Sequence, residues 1–179
     1  MSHACRPGIW VTCALLLLCA ITPRHVAAQP DQLEWRNAET ISALVENLDD
    51  WIDVHSEYAR HPDAPEIQWI NRAQAARLQT TAQTAKLETT RGLYDPEAGT
   101  IYLVRPWDRR NPYDVSVLLH ELIHHRQTKT GHWYCPGAQE RDAYKLQDAW
   151  LAQLGLRADV NWIAVILEAG CTPKDIHPD

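Results

Sequence analysis

The chain of 179 residues has no concentrated basic stretch, no long membrane-spanning apolar run, and no internal repeat or low-complexity tract. Each absence excludes something. Nucleic acid and anionic membranes both need clustered positive charge, and here acidic and basic residues are dispersed, so neither is expected as a partner. The main apolar run, Ile9 to Ile21, is about 13 residues, well short of the ~20 that a membrane helix requires. No shift in composition marks a second domain. Cysteine is scarce too: of five, Cys5, Cys13 and Cys19 lie near the N-terminus, leaving Cys135 and Cys171 in the remainder.

The first 28 residues read as a secretory signal peptide. Arg6 precedes the apolar run, Pro23 breaks it, and Val26-Ala27-Ala28 offers small residues for cleavage before Gln29. An uncleaved N-terminal anchor is the alternative. Lipid attachment at Cys19 is disfavoured, because Leu16-Leu17-Leu18 lacks the small residues expected ahead of a lipidated cysteine. The expectation is an exported protein, secreted or periplasmic, with no stable membrane span after processing. The leader removes Arg6 and Arg24 and no acid, which takes the net charge from −6 to −8. Residues 29–179 are one domain's worth of chain. Two cysteines in such a domain read most simply as one disulfide, Cys135–Cys171, worth about 3 kcal/mol on a chain-entropy argument. Ligation of a metal by Cys135 is the alternative.

Periodicity supplies the elements. Ile41, Leu44, Val45, Leu48, Trp51 and Ile52 recur at helical spacing between Asn37 and Tyr58, with Asn37 as the expected cap and Trp51 in the core. His61 to Pro65 is a break, Ile67 to Ile70 a short strand, and Ala73, Ala76 and Leu78 mark a helix. Thr80 to Thr90 extends that helix or forms a loop. Gly92–Asp95, a turn over Pro96–Gly99, and Thr100–Val104 read as a hairpin. A strand so placed either leaves an edge free to pair with an extended peptide or is ordinary sheet. A helix is expected from Pro112 or Asp114 to about Thr128, with Val115, Leu118, Leu119, Leu122 and Ile123 on its apolar face. Another follows Gly137 and ends at Gly155, and a last, nearly all apolar one, Val160 to Ala169, is expected to pack on the others. The fold class is α+β, mostly helical, with a small antiparallel sheet.

The most specific chemistry lies at His120-Glu121-Leu122-Ile123-His124, a complete HExxH. On a helix, the two histidines fall on one face as a zinc-binding pair, with Glu121 beside them as a candidate general base. Buried histidines serving only packing are the alternative. A catalytic zinc takes three protein ligands, and the third must come from elsewhere. Glu140 is the leading candidate, in the first turn of the following helix, where small Ala143 would permit close helix approach and Tyr144 would lie near the same site. Asp142, about 160° round that helix from Glu140, is an alternative ligand, as are His125 and His132. His125, turned by about 100° from His124, reads better as a histidine behind the ligands or at the surface.

The segment His120-Glu121-Leu122-Ile123-His124-His125-Arg126-Gln127, followed by Glu140-Arg141-Asp142-Ala143-Tyr144-Lys145-Leu146-Gln147, resembles the gluzincin zinc metallopeptidases, above all small exported bacterial members. The resemblance spans about 28 residues, or about 60 with the hairpin. It implies a zincin-like domain with the HExxH on its active-site helix. It also implies zinc on His120, His124 and Glu140, and hydrolysis of peptide bonds in a peptide or protein substrate with Glu121 as general base. Two features depart from the pattern: only 15 residues separate His124 from Glu140, and Ala143-Tyr144 stands where many members have Ala-Asp or Ala-Asn. That Asp or Asn often orients a ligating histidine, so here the orienting group is unassigned. The oxyanion would need a donor beside the metal, for which Tyr144, His132 and Tyr134 are the candidates. The His132-Trp133-Tyr134 stretch reads as a cleft rim or as aromatic cover over the core. The rival readings are a catalytically inactive, zinc-stabilised binding module and a zinc hydrolase of a non-peptide amide.

Overall fold

Helix ends in this protein are decided by short-range chemistry. The computed structural model describes residues 33–79, 90–130, 133, 135 and 137–170. After a 3-10 turn over Glu34–Asn37, helix α1 spans Ile41–His55. Its cap is Thr40, whose Oγ1 accepts from the Ala43 N–H at 3.1 Å; Asn37, the expected cap, is taken up in the preceding turn. A capping side chain must sit just before the first helical residue, and the turn moves that point along the chain. Leu44, Val45, Leu48, Trp51 and Ile52 are buried, so the expected stripe is the buried one. The Trp51 indole N–H donates to Gln153 Oε1 at 2.8 Å.

Strand β1 (Glu66–Ile70) leads into helix α2 (Arg72–Gln79). The hairpin strands are β2 (Gly92–Asp95) and β3 (Thr100–Val104), and their pairing is antiparallel, with Gly92 opposite Leu103 and Asp95 opposite Thr100. The sheet is nonetheless mixed and not antiparallel. Its order is β1-β3-β2, and β1 runs parallel to β3, from Glu66 opposite Thr100 to Ile70 opposite Val104. The hairpin is a local decision made by its turn, whereas β1 reaches β3 through a long connection containing α2, which permits parallel alignment. Of the ambiguous Thr80–Thr90 stretch, residues 80–89 lie outside the described residues.

Helix α3 (Pro112–Gln127) carries the HExxH. Asn111 caps it, accepting from the Tyr113 N–H at 3.0 Å, and Pro112 stands at its first position, where a missing N–H costs nothing. Helix α4 (Gly137–Gln153) follows, and Gly155, at φ 73°, takes the left-handed conformation that ends it. Helix α5 (Trp162–Ala169) packs on α4 and buries Val165, but Ile163, Ile166 and Leu167 are exposed among the described residues, so its apolar surface is less covered than its composition implies. No helix among the described residues is long and apolar enough to cross a membrane.

Helix α3 is the centre of the molecule, in contact with α1, α4, β2 and β3. Val115, Leu118, Leu119, Leu122 and Ile123 are wholly buried. Its polar residues are buried too, and buried polar groups must find partners. Arg126, fully buried, makes five hydrogen bonds: Nε and Nη2 to Asp49 Oδ1 (2.9 and 2.6 Å), Nη2 to the Asp49 carbonyl (2.7 Å), and Nη1 to Asp53 Oδ1 (2.6 Å) and the Tyr58 carbonyl (3.0 Å). That matches the five N–H groups of a guanidinium and fastens α3 to α1. At the other end of α3, buried Asp114 pairs with Arg91 and accepts from the Asp108 N–H at 2.8 Å, which fixes the loop before the helix.

Candidate metal centre

One helical turn separates His120 from His124 on α3, and their Nε2 atoms lie 3.0 Å apart. The Glu140 carboxylate, from the first turn of α4, closes the group: Oε2 is 3.3 Å from His120 Nε2, and Oε1 is 3.7 Å from His124 Nε2. The three ligand atoms lie within 4.8 Å of one another. Ala143 is wholly buried, and the absence of a larger side chain there lets α4 approach α3. The Nδ1 atoms face away from the cluster, toward the side chains of Gln147 (3.1 Å) and Gln127 (2.8 Å). Both glutamines fall in the segments that carry the family resemblance, Gln127 three residues after His124 and Gln147 seven after Glu140, but sequence reasoning assigns neither a role.

These three residues could hold a metal ion. With Nδ1 hydrogen-bonded to an oxygen, each ring presents an Nε2 lone pair, and two lone pairs at 3.0 Å beside a carboxylate repel one another unless a cation sits among them. The electrostatics agree. Burial opposes the charge of His124, but Glu140 and Glu121 outweigh it and raise its pKa. Burial likewise opposes ionisation of Glu140, yet its contacts with His120 and His124 hold its carboxyl well below the usual range. The site favours a positive charge at its centre, and its nitrogen and carboxylate donors suit a borderline cation such as zinc.

His125 is excluded as a ligand because both its ring nitrogens are engaged: Nδ1 lies 3.0 Å from the Tyr94 hydroxyl and Nε2 2.9 Å from the Asp63 carbonyl. It is buried rather than at the surface, its ring 4.2 Å from that of His61, and burial lowers its pKa. Asp142 faces away from the cluster and accepts from the Tyr58 hydroxyl at 3.1 Å. Tyr144 does lie at the site, its ring centroid 4.4 Å from that of His120. Glu121 is buried, with its carboxylate against the start of β2: a Cβ built on Gly92 would sit 2.7 Å from Glu121 Oε1 and 2.6 Å from Val117 Cγ1. Glycine there makes room for the carboxylate. The Trp133 indole N–H donates to the Gln127 carbonyl at 3.1 Å, which ties the following loop to the end of α3. His132, Tyr134 and Cys171 lie outside the described residues.

No curated protein and no solved structure matches this chain. A family model does match, over residues 37–179, a span that holds all of the elements that build the cluster. By that match the chain belongs to the DUF6647 family, a domain of unknown function.

Proposed function

We propose that this protein is an exported zinc-dependent peptidase of gluzincin-like design, with zinc held by His120, His124 and Glu140. The observation that carries the reading is the convergence of three lone-pair donors from two helices, two of them 3.0 Å apart, with the motif glutamate adjacent. Zinc in such a site supplies Lewis acidity toward a water and the scissile carbonyl. The chain supplies the rest. Glu121 accepts the proton of the attacking water as its oxygen bonds to the carbonyl carbon, then gives that proton to the amine as the C–N bond breaks. The Tyr144 hydroxyl, carried by the ring that packs on His120, is the favoured donor to the developing oxyanion. His132 is the other candidate. The outer edge of β2 pairs with no strand among the described residues and begins beside Glu121, which suits an extended peptide added as a further strand. A Cys135–Cys171 bridge would tie the α3–α4 connection to the C-terminal tail.

A second reading, a zinc-stabilised binding module without turnover, is favoured by the low exposure of His120, Glu121 and His124, none above 9%. Zinc content and turnover against a diverse peptide library, measured on wild type, Glu121→Gln and His120→Ala, separate the two. The expected result is that Glu121→Gln keeps zinc and loses hydrolysis, while His120→Ala loses both. Unchanged turnover in Glu121→Gln would sink the mechanism, and zinc retained without turnover in wild type would select the binding module.

A further inference from the structure

The two cluster histidines differ from His125 in what their ring nitrogens meet. His125 is held at both nitrogens by a hydroxyl and a carbonyl. His120 and His124 are each held at Nδ1 by a neutral amide oxygen, Gln147 Oε1 and Gln127 Oε1, while their Nε2 atoms face each other and Glu140. A terminal amide is ambiguous between oxygen and nitrogen until its other side is accounted for. Here both sides are. Gln147 Nε2 lies 3.0 Å from Ser116 Oγ, and the Ser116 hydroxyl is already committed to the Tyr113 carbonyl at 2.8 Å, so Ser116 accepts from the amide. Gln127 Nε2 donates to the Gln139 carbonyl at 3.1 Å, an atom with no proton to give. Each glutamine therefore turns its oxygen to the imidazole. Both are buried, so bulk water offers the amides no competing partner.

We propose that Gln127 and Gln147 are positioning residues that lock His124 and His120 in the Nδ1–H tautomer, with both Nε2 lone pairs aimed at one divalent cation. Being uncharged, the amides orient the rings without adding negative charge, and Glu140 alone supplies the anion. Gln127 does more than Gln147, because its acceptor on α4 is the carbonyl of the residue preceding Glu140. It thus holds one ligand on α3 and fixes the approach of another on α4. The inference rests on the metal reading of the site but is independent of whether the site hydrolyses anything.

Zinc alone is the probe, titrated by chelator competition into the full-length protein and into Gln127→Leu, Gln147→Leu, Gln127→Glu and Gln147→Glu. The leucine variants are expected to lose roughly 10–100-fold in zinc affinity. Gln147→Glu is expected to regain it, since a carboxylate accepts the same N–H and the Ser116 hydroxyl can turn to donate to it. Gln127→Glu should restore the His124 ring signal but only part of the affinity, because it loses the bond to the Gln139 carbonyl. Imidazole nitrogen NMR on the metal-free proteins, at a pH alkaline enough for both rings to be neutral, supplies a readout that general destabilisation would not move: Gln147→Leu should shift the tautomer of His120 only, and Gln127→Leu that of His124 only. Should a leucine variant fail to fold, Ser116→Ala, which frees the Gln147 amide while keeping it, is expected to cost several-fold in affinity. Wild-type affinity together with wild-type ring signals in the leucine variants overturns the proposal. Locked tautomers in a wild-type protein that takes no zinc would overturn the metal reading and still support the positioning.

Discussion

At the scale of single residues, a proton and the proposed metal ion would compete for the cluster. His124 has its pKa raised because Glu140 and Glu121 outweigh the cost of its burial, and Glu140 is held below its ordinary value by both histidines in spite of burial. A folded-state pKa above the unfolded value of about 6.5 stabilises the protein below that pH, and the benefit is lost as pH rises through the folded value. A depressed carboxyl stabilises above about 4.5 and loses its benefit in acid. The metal-free protein should therefore be most stable between about pH 4.5 and 6.5 and melt at lower temperature as the pH rises through the raised value of His124. The zinc-loaded protein should not show that alkaline decline, because the ion replaces the proton. Thermal melts of both forms across this range check the point, and parallel curves would contradict it. The three residues of the cluster were legible because helical spacing is local: four residues put two imidazoles on one face, and a first-turn glutamate on the next helix meets them. The glutamines were not, since what each does depends on an amide orientation fixed by partners 12 and 31 residues away.

At the scale of elements, the contact between α3 and β2 carries the proposed chemistry. Gly92 leaves no space for a side chain, with Val117 and the Glu121 carboxylate both closer than 3.0 Å to where a Cβ would be. Gly92→Ala must therefore displace the carboxylate or the strand, while His120, His124 and Glu140 are untouched. The expected outcome is unaltered zinc content with turnover reduced on the order of tenfold, about what a modest misplacement of a general base costs. Wild-type turnover in that variant would mean that the position of Glu121 does not depend on the strand. The strand–turn–strand and the bounds of α3 and α4 were readable from turn residues, Asn111-Pro112 and the glycines that bracket α4. The parallel alignment of β1 was not, because partner choice between distant strands leaves no mark in either strand's own pattern. Nor was the cap of α1, which shifted when Asn37 was drawn into a 3-10 turn.

At the scale of the molecule, α3 is an axle on which the rest is mounted, and Arg126 is its main fastening. A sequence reading that looks for apolar stripes does not anticipate a wholly buried arginine; what makes it tolerable is a set of acceptors drawn from α1 and from Tyr58. Arg126→Met removes the cation and leaves the Asp49 carboxylate, mostly buried, without its counter-charge and the Asp49 and Tyr58 carbonyls without that donor. It should cost about 3–5 kcal/mol in urea unfolding. A loss below about 1 kcal/mol would show that the acceptors rehydrate freely. The bond from the Gln127 amide to the Gln139 carbonyl has a consequence of the same reach. It joins the partner of His124 on one helix to the backbone beside Glu140 on the other, so binding of the proposed ion and the closure of α4 on α3 would be thermodynamically reciprocal. Whatever free energy the ion contributes to holding that seam shut, a shut seam must return to the ion as affinity.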